Sequence, residues 1–74
     1  MNGYVDINPR ICNGKPVIAG TRIPLTVLID QLIAVQSIDG LLHKYPELTK
    51  EQICGALHYC HNLIEHTEFE ALVA

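Results

Sequence analysis

The chain has 74 residues, 49% hydrophobic and only 5% aromatic, enough for one domain with a thin core. A net charge of −3 argues against a general nucleic-acid coat protein. Three scattered cysteines, odd in number, argue against a disulfide framework and for a reduced, cytoplasmic compartment.

A domain this small is expected to gain stability by oligomerising. The charge is unevenly spread. Through Pro24, Arg10, Lys15 and Arg22 against Asp6 give +2, while from Leu25 onward Lys44 and Lys50 against seven acids give −5. A basic arm over residues 1–24 on an acidic helical body over 25–74 is the organisation this predicts.

In chain order, Tyr4-Val5-Asp6-Ile7 alternates weakly and reads as an edge strand, and Asn8-Pro9 as a turn. Asn13-Gly14 suits a two-residue turn with positive φ, which predicts a hairpin of Ile11-Cys12 against Val17-Ile18. Pro16 fits a sheet edge because it has no N–H to give, and Gly20 supplies a bend. Pro24 opens a helix that runs to about Gln36.

That helix is apolar on nearly every side, broken mainly by Thr26, Asp30 and Gln31. One thin domain covers one side, so a second copy is expected to cover the other. The homodimer interface predicted here is Leu28, Ile29, Leu32, Ile33 and Val35. Ser37 caps a short helix from Ile38 to Tyr45, which Gly40 weakens by about 1 kcal/mol and Pro46 ends. Thr49 with Gln52 forms a capping box for a third helix, from Lys50 to about Glu65. Its core stripe is read as Ile53, Leu57, Cys60 and Ile64, with Ala56 and Leu63 at the edge.

A longer helix followed by two helices around a short turn is the outline of a tri-helical helix-turn-helix, at about 37–65. The fold class expected is therefore mainly α, a three- to four-helix helix-turn-helix bundle with a short N-terminal β arm. Thr49, Lys50 and Gln52 would then begin the recognition helix. Gln52 can pair with adenine and Lys50 can meet phosphate or guanine, although Glu51 opposes phosphate. Arg22 has two readings, a bidentate contact to phosphate or a salt bridge that pins the arm, for example to Asp30.

Cys54, His58, His61 and Glu65, spaced four, three and four, share one stripe of the third helix. One straight helix rarely supplies a full tetrahedral set, so no metal is expected there. No other cofactor is implied. No nucleophile has a base at a spacing that lets the two meet, since Cys60 and His61 are adjacent on a helix and diverge. An enzyme is not expected.

Gly14-Lys15-Pro16-Val17-Ile18 with Gly20-Thr21-Arg22-Ile23-Pro24 resembles the signature of the domain-of-unknown-function family DUF433. A second signature of that family matches Ser37, Tyr45-Pro46 and Leu48-Thr49, then Ile53, Ala56-Leu57 and Tyr59. The resemblance spans roughly Ile7 to Leu63. It implies a homeodomain-type helix-turn-helix and a VapB-type antitoxin that binds promoter DNA as a dimer and blocks a PIN-like ribonuclease toxin. Carried over by position, Lys15, Thr21 and Arg22 fall in the arm. Ala19 stands where the family often has a basic residue. Under this reading Ile64, Glu65, Glu68, Phe69 and Leu72 form an amphipathic, acidic segment against the toxin. The alternative is a structural or protein-binding dimer with no role at DNA.

Overall fold

The structure, a computed structural model, describes residues 3–73 and the side chains of 3–66. The chain is mainly helical. Strand β1 (Val5–Asp6) is followed by a single 3-10 turn (Cys12–Gly14) and strand β2 (Val17–Ile18). Helices α1 (Leu25–Val35), α2 (Ile38–Lys44) and α3 (Lys50–Val73) complete it. Among the described residues no single helix is long and apolar enough to cross a membrane.

The strand pairing differs from the one expected. β1 and β2 form a two-stranded antiparallel sheet with Val5 opposite Ile18 and Asp6 opposite Val17. Ile11-Cys12 is not a strand. Cys12 and Asn13 take positive φ (51° and 57°) and Gly14 follows at 82°, so Asn13-Gly14 belongs to the 3-10 turn and not to a hairpin. The turn signal was real, but three successive left-handed residues coil the chain where a hairpin turn would reverse it with two. The connection between the strands, with this turn in it, brings β2 back beside β1.

The helix boundaries follow local chemistry. Ser37 Oγ accepts from Gly40 N at 2.9 Å and caps α2. Tyr45 ends it before Pro46. Thr49 Oγ1 accepts from Gln52 N at 3.2 Å and Gln52 Oε1 accepts from Thr49 N at 2.8 Å, a reciprocal capping box at the start of α3. Gln36 closes α1 in the left-handed region, with its N–H on Leu32 O. The chain then bends by 115° into α2.

The core sits where the sheet, α1, α2 and the first half of α3 meet. Its largest fully buried side chains are Val5, Val17, Ile18, Leu28, Leu41 and Ile53, and no polar or charged side chain is buried among the described residues. Two glycines make the close approaches possible. A Cβ on Gly55 would strike the Tyr4 ring, so β1 rests directly on α3. A Cβ on Gly40 would strike Val35 Cγ1 and lie 2.8 Å from Ser37 Oγ. Gly40 is therefore not only a weak point of α2 but the condition for the sharp α1–α2 corner.

Two apolar residues are placed differently from the stripe read in the sequence. Ile64 is 56% exposed and Leu63 47% exposed. Among the described side chains of α3, those that pack on the core are Ile53, Ala56, Leu57, Tyr59 and Cys60. From His61 to His66 every residue is exposed, yet the helix continues to Val73, beyond the end at Glu65 expected from sequence. At 1.5 Å per residue, 24 residues give about 36 Å, which accounts for most of the molecule's 41 Å longest extent.

Gly40→Ala separates the two effects at that corner. Helix propensity alone would stabilise α2 by about 1 kcal/mol. The collision with Val35 and the disturbed Ser37 cap outweigh it, so a net loss of about 1–3 kcal/mol is expected in urea denaturation. A gain in stability would contradict this packing.

Candidate functional site

The run that carries the family signature is a clasp between β2 and the start of α1. Leu25 N donates to Pro16 O at 3.0 Å and Ile18 N donates to Ile23 O at 2.9 Å, so residues 16–18 lie antiparallel to 23–25. Val17 and Pro24 form an isolated bridge between them. At the tip, Thr21 N and Thr21 Oγ1 both donate to Ile18 O, at 3.0 and 2.7 Å. Thr21 Oγ1 in turn accepts from Ile23 N at 3.1 Å. Gly20, at φ 79°, turns the chain, and its N–H reaches Asp6 Oδ2 at 3.4 Å.

This geometry reassigns the arm residues. The Thr21 hydroxyl is committed in both directions inside the clasp, so its work is structural. Arg22 is exposed and makes no ion pair among the described residues, so the salt bridge to Asp30 weighed from sequence is not formed. Arg22 lines a shallow concavity of about 590 Å³ with Asp6, Thr21 and Glu47. Two carboxylates there oppose an incoming phosphate. Lys15 lines a different depression, between α1 and α3. The two cations expected to make one basic arm thus face two separate surfaces.

At the start of α3, Lys50 and Glu51 are exposed side by side. Gln52 is half-buried and its carbonyl is held by the capping box, which leaves only its NH₂ to offer outward. Lys44, at the end of α2, donates to Gln31 Oε1 of α1.

Further along α3, the Cys54, His58, His61 and Glu65 stripe is exposed, as its spacing predicts. His61 Nε2 lies 3.1 Å from Glu65 Oε2, and the His58 and His61 rings stack with centroids 6.1 Å apart. No three His, Cys, Asp or Glu side chains converge on a metal-sized centre among the described residues.

The residues expected at a dimer interface divide. Leu28 is 1% exposed and buried in the chain's own core, so it has no surface to offer. Leu32 packs partly against that core. Ile29 and Val35 are half-buried, and Ile33 is 66% exposed.

Sequence reading missed the groove that Ile29 helps form. It holds about 400 Å³ between α1 and α3 and is lined by Pro16, Leu25, Ile29, Cys60, Leu63 and Ile64, with Lys15 at its edge. Burial pushes the Cys60 thiol above its ordinary pKa, partly offset by a backbone hydrogen bond. The thiol there is a protonated, apolar part of the wall and not a nucleophile.

Thr21 and Arg22 give opposite expectations in denaturation. Thr21→Val removes two hydrogen bonds from a half-buried turn and is expected to cost about 1–3 kcal/mol. Arg22→Ala is expected to change stability by no more than about 0.5 kcal/mol. Equal effects of the two substitutions would contradict the clasp.

No curated protein matches the chain. A crystal structure of a DUF433 member protein from Anabaena variabilis ATCC 29413, at 2.00 Å resolution, is similar with a TM-score of 0.74 and 33% sequence identity. The similarity covers 90% of this chain and 66% of that one, so the chain spans somewhat less than two thirds of its neighbour's length. The family model described as "Protein of unknown function (DUF433)" matches residues 5–60, which take in β1, the clasp, all of α1 and α2, and the packed half of α3. On the strength of that match the chain belongs to the DUF433 family.

Proposed function

We propose that this chain is an antitoxin-like regulator whose principal activity is binding a protein partner, a PIN-like ribonuclease, through the distal part of α3. The observation that carries this reading is the length of α3. Among the described side chains, the last of α3 to pack on the core is Cys60, while the helical backbone runs on to Val73. The exposed residues from His61 to His66 add nothing to the domain's own core, and a helix that carries on past them is suited to lie in a groove of another molecule.

Charge supports the same reading. After Lys50 the chain has no lysine or arginine, but it carries Glu51, Glu65, Glu68 and Glu70. The side chains of Glu68, Phe69 and Leu72, expected at the partner surface, lie outside the described residues. Ile64 and Glu65, also expected there, are exposed. An acidic, aliphatic helix complements a basic nuclease cleft, where it would both mask the substrate path and be drawn in electrostatically.

A homeodomain-like reading of α2, the turn and α3 belongs to the same proposal, with Lys50 as the cation placed to meet promoter DNA. DNA is secondary in it. Thr21 and Gln52 are engaged in internal hydrogen bonds, and Arg22 stands with two carboxylates. A regulator working mainly by protein contact needs fewer cations than the operator-binding alternative.

Co-expression with a PIN-like nuclease encoded beside this chain tests the proposal. Relief of growth arrest and co-elution of the two proteins are expected. The double reversal Glu68→Lys and Glu70→Lys should weaken the complex by about tenfold or more at low salt. Growth arrest unrelieved and separate elution of the two chains would overturn it.

A further inference from the structure

Of the residues at the clasp tip, Arg22 is the one whose side chain does nothing for the fold. Thr21 is bonded in both directions and Ile23 packs against the core. The Arg22 side chain is exposed and makes no hydrogen bond or ion pair among the described residues. Its backbone is nevertheless tied on every side. Ile23 O accepts from Ile18 N at 2.9 Å, Thr21 N donates to Ile18 O at 3.0 Å, and the Cys12 thiol donates to Arg22 O at 3.5 Å. A free guanidinium is thus presented from a fixed anchor, so only its own rotamers need ordering when something binds it.

The hollow it lines, about 590 Å³, lies within the ~300–1,000 Å³ of small-molecule sites. Three separate parts of the chain supply its charges: Asp6 from β1, Arg22 from the clasp tip, and Glu47 from the turn between α2 and α3. Arg22 is paired with neither carboxylate, and Glu47 has no partner among the described residues. Asp6 Oδ2 accepts from Gly20 N at 3.4 Å, and Oδ1 stays open. Ile11 and Ile23, both half-buried, give the lining an apolar part.

We propose that this hollow binds a small zwitterion, an α-amino acid or short peptide with an aliphatic side chain. Arg22 takes its carboxylate, Asp6 and Glu47 take its ammonium, and Ile11 and Ile23 meet the side chain. Charge selects this class by exclusion. A phosphate group brings about −1.5 to −2 charges against two carboxylates. A simple cation meets Arg22 with like sign. A carboxylate fits the planar guanidinium fork with a single negative charge, and an ammonium on the same molecule answers the two acids.

The site shares no residue with the distal part of α3, so it is independent of the nuclease reading and of that reading's test. Charge pairs this exposed each contribute little, which sets the expected dissociation constant on the order of 1 mM.

Titration of the isotope-labelled full chain with L-leucine and with leucyl-leucine, followed by amide chemical shifts, tests the proposal. Saturable shifts are expected at Gly20, Thr21 and Ile23, and the tighter of the two ligands tells a free amino acid from a peptide. Leucinamide, which lacks the carboxylate, and N-acetyl-leucine, which lacks the ammonium, should each bind about tenfold more weakly or worse. Arg22→Ala should abolish the shifts and leave the rest of the spectrum in place, since the side chain has no contact to lose. Arg22→Lys, which keeps the charge without the fork, should retain part of the binding, and Glu47→Gln should weaken it.

No saturable shift at these amides with either leucine ligand overturns the proposal. So does unchanged binding in Arg22→Ala. N-acetyl-leucine or inorganic phosphate binding as tightly as leucine would show a site that reads a bare anion, and overturns it as well.

Discussion

The structure depends on the clasp that folds residues 16–18 back along 23–25. Ile18 is its centre. The side chain is fully buried, its N–H donates to Ile23 O, and its carbonyl takes both the amide and the hydroxyl of Thr21. The same short segment is a strand on its other side, paired with β1. It therefore holds the N-terminal strand, delivers the chain to the first residue of α1, and plugs the core beneath the helices. Without it, α1 would have neither a fixed starting point nor a neighbour along the sheet. The signature run, from its first glycine to Pro24, makes sense as the parts of this clasp: glycine for a left-handed turn, threonine for a side-chain bridge, proline at the helix entry.

What was legible in the sequence was local. Ser37, the Thr49/Gln52 box and Tyr45-Pro46 mark helix ends because each acts within three or four residues of itself, and all three are seen. The β pairing was not legible. Val5 and Ile18 are distant in the chain, and the intervening Asn13-Gly14 signal states that φ turns positive without stating how many residues share the turn. Gly40 and Gly55 escaped for a related reason. A glycine in a helix reads as a propensity defect until the side chain that occupies its missing Cβ position is known, and here those are Val35 and Tyr4.

The candidate site was legible in parts that did not assemble. Lys15, Thr21 and Arg22 lie close together in sequence, which suggests a shared surface that the clasp does not allow. It turns Lys15 toward α3, Arg22 toward Asp6 and Glu47, and Thr21 inward. The apolar surplus of α1 was also real, but its distribution was not. Leu25 and Leu28 satisfy the chain's own core, Leu32 packs against it, Ile33 stands exposed, and Ile29 is shared with α3 in a groove that no single helix pattern reveals. The N-terminal half of the chain therefore builds the scaffold and presents Arg22 at the clasp tip, and the surfaces left for recognition lie there and on α3.

Native-state hydrogen exchange at the Ile18, Ile23 and Leu25 amides tests the claim that the clasp holds the fold. If the clasp and the helical core form one cooperative unit, these three amides exchange only through global unfolding, with the same free energy as the most protected amides of α3 around Ile53 and Ala56. Exchange of the clasp amides by local opening, at a free energy well below that of α3, would show that the helices stand without it and would contradict the account.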